Sequence, residues 1–445
     1  MTAQDILGLT LSGADAASAQ LFDAGVADLQ RFVGDPVGKA EAAIAAKPDF
    51  AMAHVLKGWL YGLSTEASAT AATREAARSA QLWACTERER THAAALGALV
   101  EGRWHEAGRL LGEWSAAEPR DALALQAGHQ IDFFTGNAPM LRDRVAAALP
   151  AWDQAMPGFH AVLGMHAFGL EECGDYGSAE RAGREAVRLE PRDGWAQHAV
   201  AHVMEMQGRL DEGISWMRGN ERGWTEESFL QVHNWWHLAL FHYELGQADE
   251  VLALYDAPIH GQRSSFVLNL VDASALLWRL HLNGADVGDR WQALAEDWEP
   301  KARAGNYAFN DAHAMMAFVG AGREDAAEAL LDAQRRAMAG EGDNALFTSA
   351  VGHPLSLAIR AFGRGDHSEA VRLILPIREK AHLFGGSHAQ RDVVELTLLE
   401  AALRGGQWEL ARRLAVTRRE AKPRSALAAL FASRAAASAR PANAF

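Results

Sequence analysis

The chain has 445 residues, 49% hydrophobic and 22% charged, with a formal net charge of −14. That length allows a large core or several stacked units, and the balance excludes a disordered chain and argues against nucleic acid or an anionic membrane as partner. Only Cys85 and Cys173 occur as cysteines, which argues against a disulfide framework and fits a reducing, cytoplasmic compartment.

The opening MTAQDILGLTLSGAD has no basic stretch before an apolar run and does not read as a secretory signal. No run of 18 uninterrupted apolar residues follows, so no transmembrane helix is expected. Apolar residues recur at spacings of three and four, as in AERAGREAVRLEP from Ala179 to Pro191. That period predicts amphipathic helices and an almost all-α protein. Residues 1–44 read as an N-terminal helical cap with two short helices between Phe22 and Ala40.

From residue 45 to residue 415 one mark recurs: a glycine, then, in the clearest copies, a small residue five places on that opens a helix. Clear copies start at Gly102, Gly174, Gly208, Gly322, Gly365 and Gly406, and weaker ones at Gly136, Gly246 and Gly284. Successive spacings are 34, 38, 34, 38, 38, 38, 43 and 41 residues, room for two helices and two short turns. The glycine supplies a left-handed helix end, and the small residue lets the second helix pack closely on the first. Pro119 and Pro191, each 17 residues after a turn glycine, stop the second helix. The tail, residues 416–445, is Ala/Arg-rich and reads as a C-terminal helix with a loose end.

GDYGSAERAGREAVRLEP, from Gly174 to Pro191, resembles the second half of the tetratricopeptide repeat. The resemblance implies an α-α superhelix, a solenoid of helix-turn-helix units, with spacings longer than the usual 34 residues. Five further runs are similar to the tetratricopeptide repeat protein 38 family: His198 to Met217, His233 to Gly246, Asp272 to Trp291, Phe309 to Ala317 and Gly385 to Val393. That likeness implies a soluble helical repeat protein and no particular reaction.

In such repeats the first helix of each unit lines the concave face. The resemblance therefore turns inward Trp195, His198, His202 and Glu205 in one unit. In the next it turns inward His233, Trp236 and Tyr243, with His237 one turn from His233. Glu171 faces inward in the preceding unit, with His160 and His166 nearby. Independently, residues spaced i, i+4 and i+7 share one helix stripe, as His198, His202 and Glu205 do. Asn310, Asp311 and His313 open a later first helix, and His353, His388 and Arg391–Asp392 sit at helix starts or turns. Trp236 and Trp278 are candidates for a ligand wall. Arg279 and Asp272 flank this stretch and read as charges pairing between helices.

Three chemistries remain open for these residues. His198 with His202, and His233 with His237, have the spacing to share a divalent metal, but lack the Glu of an H-E-x-x-H motif. His198, His202, Glu205 and His237 also suit metal-free acid–base catalysis. A structural hydrogen-bond network is the third reading. No nucleotide-binding motif occurs, so no nucleotide cofactor is expected, and Ser387 beside His388 is not a triad. Gly385 and Gly386 read as a flexible turn ahead of a helix start. Two functions follow: a small polar ligand in a His/Trp/Glu-lined pocket, acted on by acid–base or metal-assisted chemistry, or a non-catalytic scaffold holding a peptide or protein. The degenerate units from Gly246 to Gly322 offer a surface for a homodimer.

Overall fold

The computed structural model describes residues 3–437. The fold is all-α, built of antiparallel helical hairpins of the tetratricopeptide type. The nine turn glycines end first helices as expected. Each has φ between 66° and 81°, a left-handed conformation that a Cβ would strain. Typical hairpins are Phe159–Glu172 with Tyr176–Leu189 and His388–Arg404 with Trp408–Ala421. The small residues that open second helices are buried: Ala107, Ala179, Ala370 and Ala411 have no exposed surface. At Gly213 a Cβ would stand 2.3 Å from Phe241 Cζ, so only glycine allows that approach.

The wider spacings have local causes. After Gly246 the second helix, Ala248–Leu254, runs into a π turn at Tyr255–Ile259 that contains Pro258. Between Gly322 and Gly365 the chain inserts a short helix, Asp343–Phe347, and a second π turn, Thr348–Gly352. Pro258 removes a backbone donor inside its turn, which ends the regular ladder there.

The chain forms two compact units. The first comprises Met1–Val203, Asn220–Gln231 and Glu341–Asp343; the second comprises Met204–Gly219, Val232–Gly340 and Asn344–Phe445.

In the first unit, helices Ala16–Arg31 and Pro36–Ala46 follow a two-stranded hairpin, Ala3–Gln4 with Thr10–Leu11, which the sequence reading did not anticipate. Asp5 holds that hairpin. One carboxylate oxygen accepts the amides of Leu7 and Leu9 at 3.0 and 2.8 Å, and the other accepts Arg88 Nη1 at 2.8 Å. Arg88 also donates twice to Asp121, which takes His92 and Trp114 as further donors. Burial raises the Asp121 carboxyl, but Arg88 and His92 outweigh it and hold it well below the usual carboxylate range. From far along the chain, Asp343 accepts the amide of His105 at 2.9 Å and so caps helix Trp104–Ala117.

In the second unit the tail is fixed by ion pairs. Arg418 donates to Asp392 at 2.7 and 3.0 Å and to Glu244 at 3.2 Å. Lys422 Nζ reaches Glu244 at 3.4 Å, Asp392 at 3.7 Å and Glu205 at 3.8 Å. Arg434 on helix Ala426–Ala437 pairs with buried Glu400 at 2.8 Å. The loose end expected at the tail falls partly on residues 438–445, which lie outside the described residues. Among the described residues no helix is long and apolar enough to cross a membrane.

Candidate functional site

The residues expected to line a site divide between the two units. In the first unit, helices Phe159–Glu172 and Gly194–Met206 bring together Glu171, Trp195, His198 and His202. Phe168 is their common floor, with ring centroids 4.9 Å from Trp195 and 5.3 Å from each histidine. The two imidazoles are 4.4 Å apart, and His202 Nδ1 lies 3.4 Å from Glu171 Oε2. All four residues are buried, and the Trp195 indole N–H has no acceptor. His129 also belongs here, 5.7 Å from Trp195, and burial pushes its imidazole down to about 3. Sequence reasoning missed it, although it too sits on a first helix, Ala122–Phe134.

In the second unit, helix Gln231–Glu244 presents His233, Trp236 and His237 on one stripe. His233 Nδ1 lies 3.0 Å from both oxygens of Asp272, and its ring stacks on Trp236 at 5.4 Å with 13° between planes. His237 meets Trp236 edge-on at 4.9 Å, and its Nδ1 lies 3.3 Å from Glu205 Oε2. His233 retains some exposure at its side chain, 15%, whereas His237 has none. Solvent therefore reaches the dyad at His233.

Arg279 joins the remaining residues. It is fully buried, and its guanidinium donates to the carbonyls of Ala275 and Ala389 at 3.0 and 2.7 Å. Its guanidinium carbon stands 5.2 Å from the Trp236 ring centroid, a cation–π contact. The Tyr243 hydroxyl donates to the Arg279 carbonyl at 3.2 Å and accepts from Asn283 at 2.9 Å. Of Asp272 and Arg279, read from sequence as charges that pair between helices, Asp272 does so with His233 on the neighbouring helix, whereas Arg279 is held by backbone carbonyls. Its charge also reaches His313. Burial, reinforced by Arg279, pushes that imidazole down to about 4 against the hydrogen bond to the Phe309 carbonyl at 2.8 Å. With Nδ1–H given to that carbonyl, Nε2 of neutral His313 is an acceptor, and it is buried without a partner.

Phe309 links the Asn310/His313 helix, Ala308–Gly320, to the loop before His388 and Arg391. A Cβ at Gly386 would stand 2.4 Å from Phe309 Cε2, so the loop is packed, not loose. Arg391 donates to the Gly386 carbonyl and Ser387 caps the helix start. Trp278 belongs to a different aromatic seam. It donates to Thr397 at 3.0 Å and packs with His281, Trp291 and Phe362.

For metal binding, each unit offers an i, i+4 histidine pair with a neighbouring carboxylate: His198, His202 and Glu171 in one, His233, His237 and Glu205 in the other. Nitrogen and oxygen donors of this type suit a divalent transition ion.

No family model matches the chain. Among solved structures, it is similar to a monomeric mutant of IFIT1 with Gppp-AAAA, at 14% identity and TM-score 0.39, covering 96% of both chains. It is also similar to yeast Tom70, at 13% identity and TM-score 0.34, covering 94% of this chain and 87% of that one. A third is Naa15/Naa10 bound to HypK-THB, at 12% identity and TM-score 0.25, covering 96% and 69%. At these identities and TM-scores the likenesses carry no argument about this chain's family or role.

Proposed function

We propose that the protein binds a small polar ligand at the Arg279 cluster of the second unit, and that His233 moves a proton there. The observation that carries this reading is the buried Trp236 indole N–H, which has no acceptor. Leaving such a donor unpaired costs on the order of 1–3 kcal/mol, and a ligand oxygen would recover that cost. Its surroundings suit a ligand. Arg279 is a buried cation hydrogen-bonded to carbonyls and stacked on Trp236, His313 offers a bare acceptor nitrogen, and His233 is oriented by Asp272 as general bases are. The ligand class is a small molecule with both a hydrogen-bond acceptor, such as a carboxylate, and a hydroxyl. The expected superhelix interior at Trp195, His198, His202 and Glu171 gains support from the same kind of orphaned indole, on Trp195.

We further propose membership of the tetratricopeptide repeat protein 38 family, resting on the five sequence runs already quoted, and a cytoplasmic setting, resting on cysteine usage. A peptide-binding scaffold is the second reading. It is favoured less because Trp195, His198, His202, Trp236 and His237 are all buried, not displayed on an open groove.

The test is a thermal-shift screen of small hydroxy acids, dicarboxylates and phosphates on the wild type and on Trp236→Phe, which keeps a six-membered aromatic ring and deletes the N–H with the pyrrole ring that carries it. A compound that stabilises the wild type and loses most of its effect in the variant supports the reading. A screen without such a compound, or equal stabilisation of both proteins, rejects it.

A further inference from the structure

A cavity of about 300 Å³ lies wholly within the first unit, between the N-terminal hairpin, helix Ala16–Arg31 and the segment Pro157–His160. Its charged groups are nearly all committed. Asp5 accepts two amides and pairs with Arg88, and Arg88 spends its remaining nitrogens on Asp121. Glu190 sits 3.8 Å from Arg31 and accepts the amide of Arg192. Asp23 is the exception. It accepts the amide of Ile6 at 3.2 Å, and among the described residues no ion pair reaches it; the more distant charges of Asp5 and Arg88 act on it in opposite directions.

Two more groups face the same space. Gln30 is 5% exposed, and its Nε2 is buried without an acceptor. Its carboxamide lies against Gly158, where a Cβ would stand 2.7 Å from Nε2, and Gly158 adopts φ +80°. His160 places Nδ1 2.7 Å from the buried carboxylate of Asp193, so Nδ1–H is the donor there and Nε2 is left as an acceptor in the neutral ring. The remaining walls are apolar: Leu7, Phe22, Val26 and Leu123.

We infer that this cavity binds a primary ammonium compound with a neighbouring carbonyl and an apolar side chain. The ammonium pairs with Asp23, the carbonyl accepts from Gln30 Nε2, and the side chain lies on Leu7, Val26 and Leu123. A free amino-acid derivative and the N-terminus of a peptide share this chemistry. Burial pushes the Asp23 carboxyl up to about 6, against the hydrogen bond from Ile6. A cation bound beside Asp23 would bring it down again.

Isothermal titration of the full chain with leucinamide, N-acetyl-leucinamide and the tripeptide Leu-Gly-Gly tests the inference. Leucinamide is expected to bind one per chain, and its acetylated form, lacking the charge, to bind at least about tenfold more weakly. Binding of Leu-Gly-Gly as tightly as leucinamide identifies a peptide N-terminus as the occupant; binding of leucinamide alone identifies a small amine. Asp23→Asn is expected to weaken leucinamide by a similar factor while far-ultraviolet circular dichroism stays unchanged. Should that variant misfold, the comparison of the two wild-type titrations still decides. No heat with leucinamide, or equal affinity for the acetylated compound, overturns the inference.

Discussion

The imidazole Nδ1 of His233 lies 3.0 Å from both carboxylate oxygens of Asp272, while the opposite side of the ring stacks on Trp236. The carboxylate accepts a hydrogen bond from Nδ1–H, which stays on the ring, and so leaves Nε2 as the basic nitrogen. Replacing Asp272 with Asn should release this preference. Nitrogen-15 spectra of the imidazoles should show His233 held as one tautomer in the wild type and averaged between two in the variant. An unchanged His233 signal in Asp272→Asn would show that the carboxylate does not set the tautomer.

Trp236→Phe has a second expected outcome, in the protein without ligand. Deleting a buried donor that lacks an acceptor removes a desolvation cost, but a phenyl leaves part of the fully buried indole's space empty, and the two effects oppose one another. The variant should therefore lose less than about 2 kcal/mol. Urea unfolding at an unchanged m-value checks this. A loss of 2 kcal/mol or more would mean that the N–H is satisfied after all.

Acid–base behaviour is set in part by Asp311. Burial pushes its carboxyl from the ordinary 3.8 up to about 7, with Gln334 as its one opposing hydrogen bond. Its charged form is therefore disfavoured in the fold relative to the unfolded chain. Its contribution to stability is greatest below about pH 4, declines as pH rises toward 7, and is flat above. Asp311→Asn should match the wild type near pH 4 and melt at a higher temperature at pH 8. A difference between the two proteins that does not vary from pH 4 to pH 8 would contradict the assignment.

Around the tail, Arg418 and Lys422 neutralise Glu205, Glu244 and Asp392. Burial lowers the Lys422 ammonium, but these three carboxylates overcome it and raise it above its usual value. Arg418→Ala strands buried carboxylates and should cost about 3–5 kcal/mol. Denaturant unfolding measures it; a cost under 1 kcal/mol would show the cluster to be hydrated instead.

Metal content is a direct measurement. If the histidine pairs hold an ion, purified wild type carries it, and His198→Ala or His237→Ala lowers the stoichiometry. Equal content in all three proteins, or none in any, removes the metal reading.

Much of this was readable in the sequence because it rests on local physics. Each of the nine turn glycines marks a left-handed helix end, and a helix end needs only a few consecutive residues to declare itself. The clustering of His198 with His202, and of His233 with Trp236 and His237, follows from helical period. What escaped was long-range pairing. Nothing near Gln30 shows that its amide will rest on Gly158, 128 positions on. Likewise, Lys422 gives no sign of its carboxylates at 205, 244 and 392. Arg279 looked like an ordinary interhelix charge, and only the fold shows it held by carbonyls of Ala275 and Ala389.

One small contact has a consequence for the order of events during synthesis. Asp343 caps helix Trp104–Ala117 across 238 positions of sequence. While the chain leaves the ribosome, that helix start stays open to water until residue 343 has emerged, by which time about half of the second unit's helices have been synthesised. A nascent chain stopped at Gly340 should therefore exchange the amide of His105 with solvent as fast as a frayed end, and one stopped a few tens of residues beyond Asp343 should protect it.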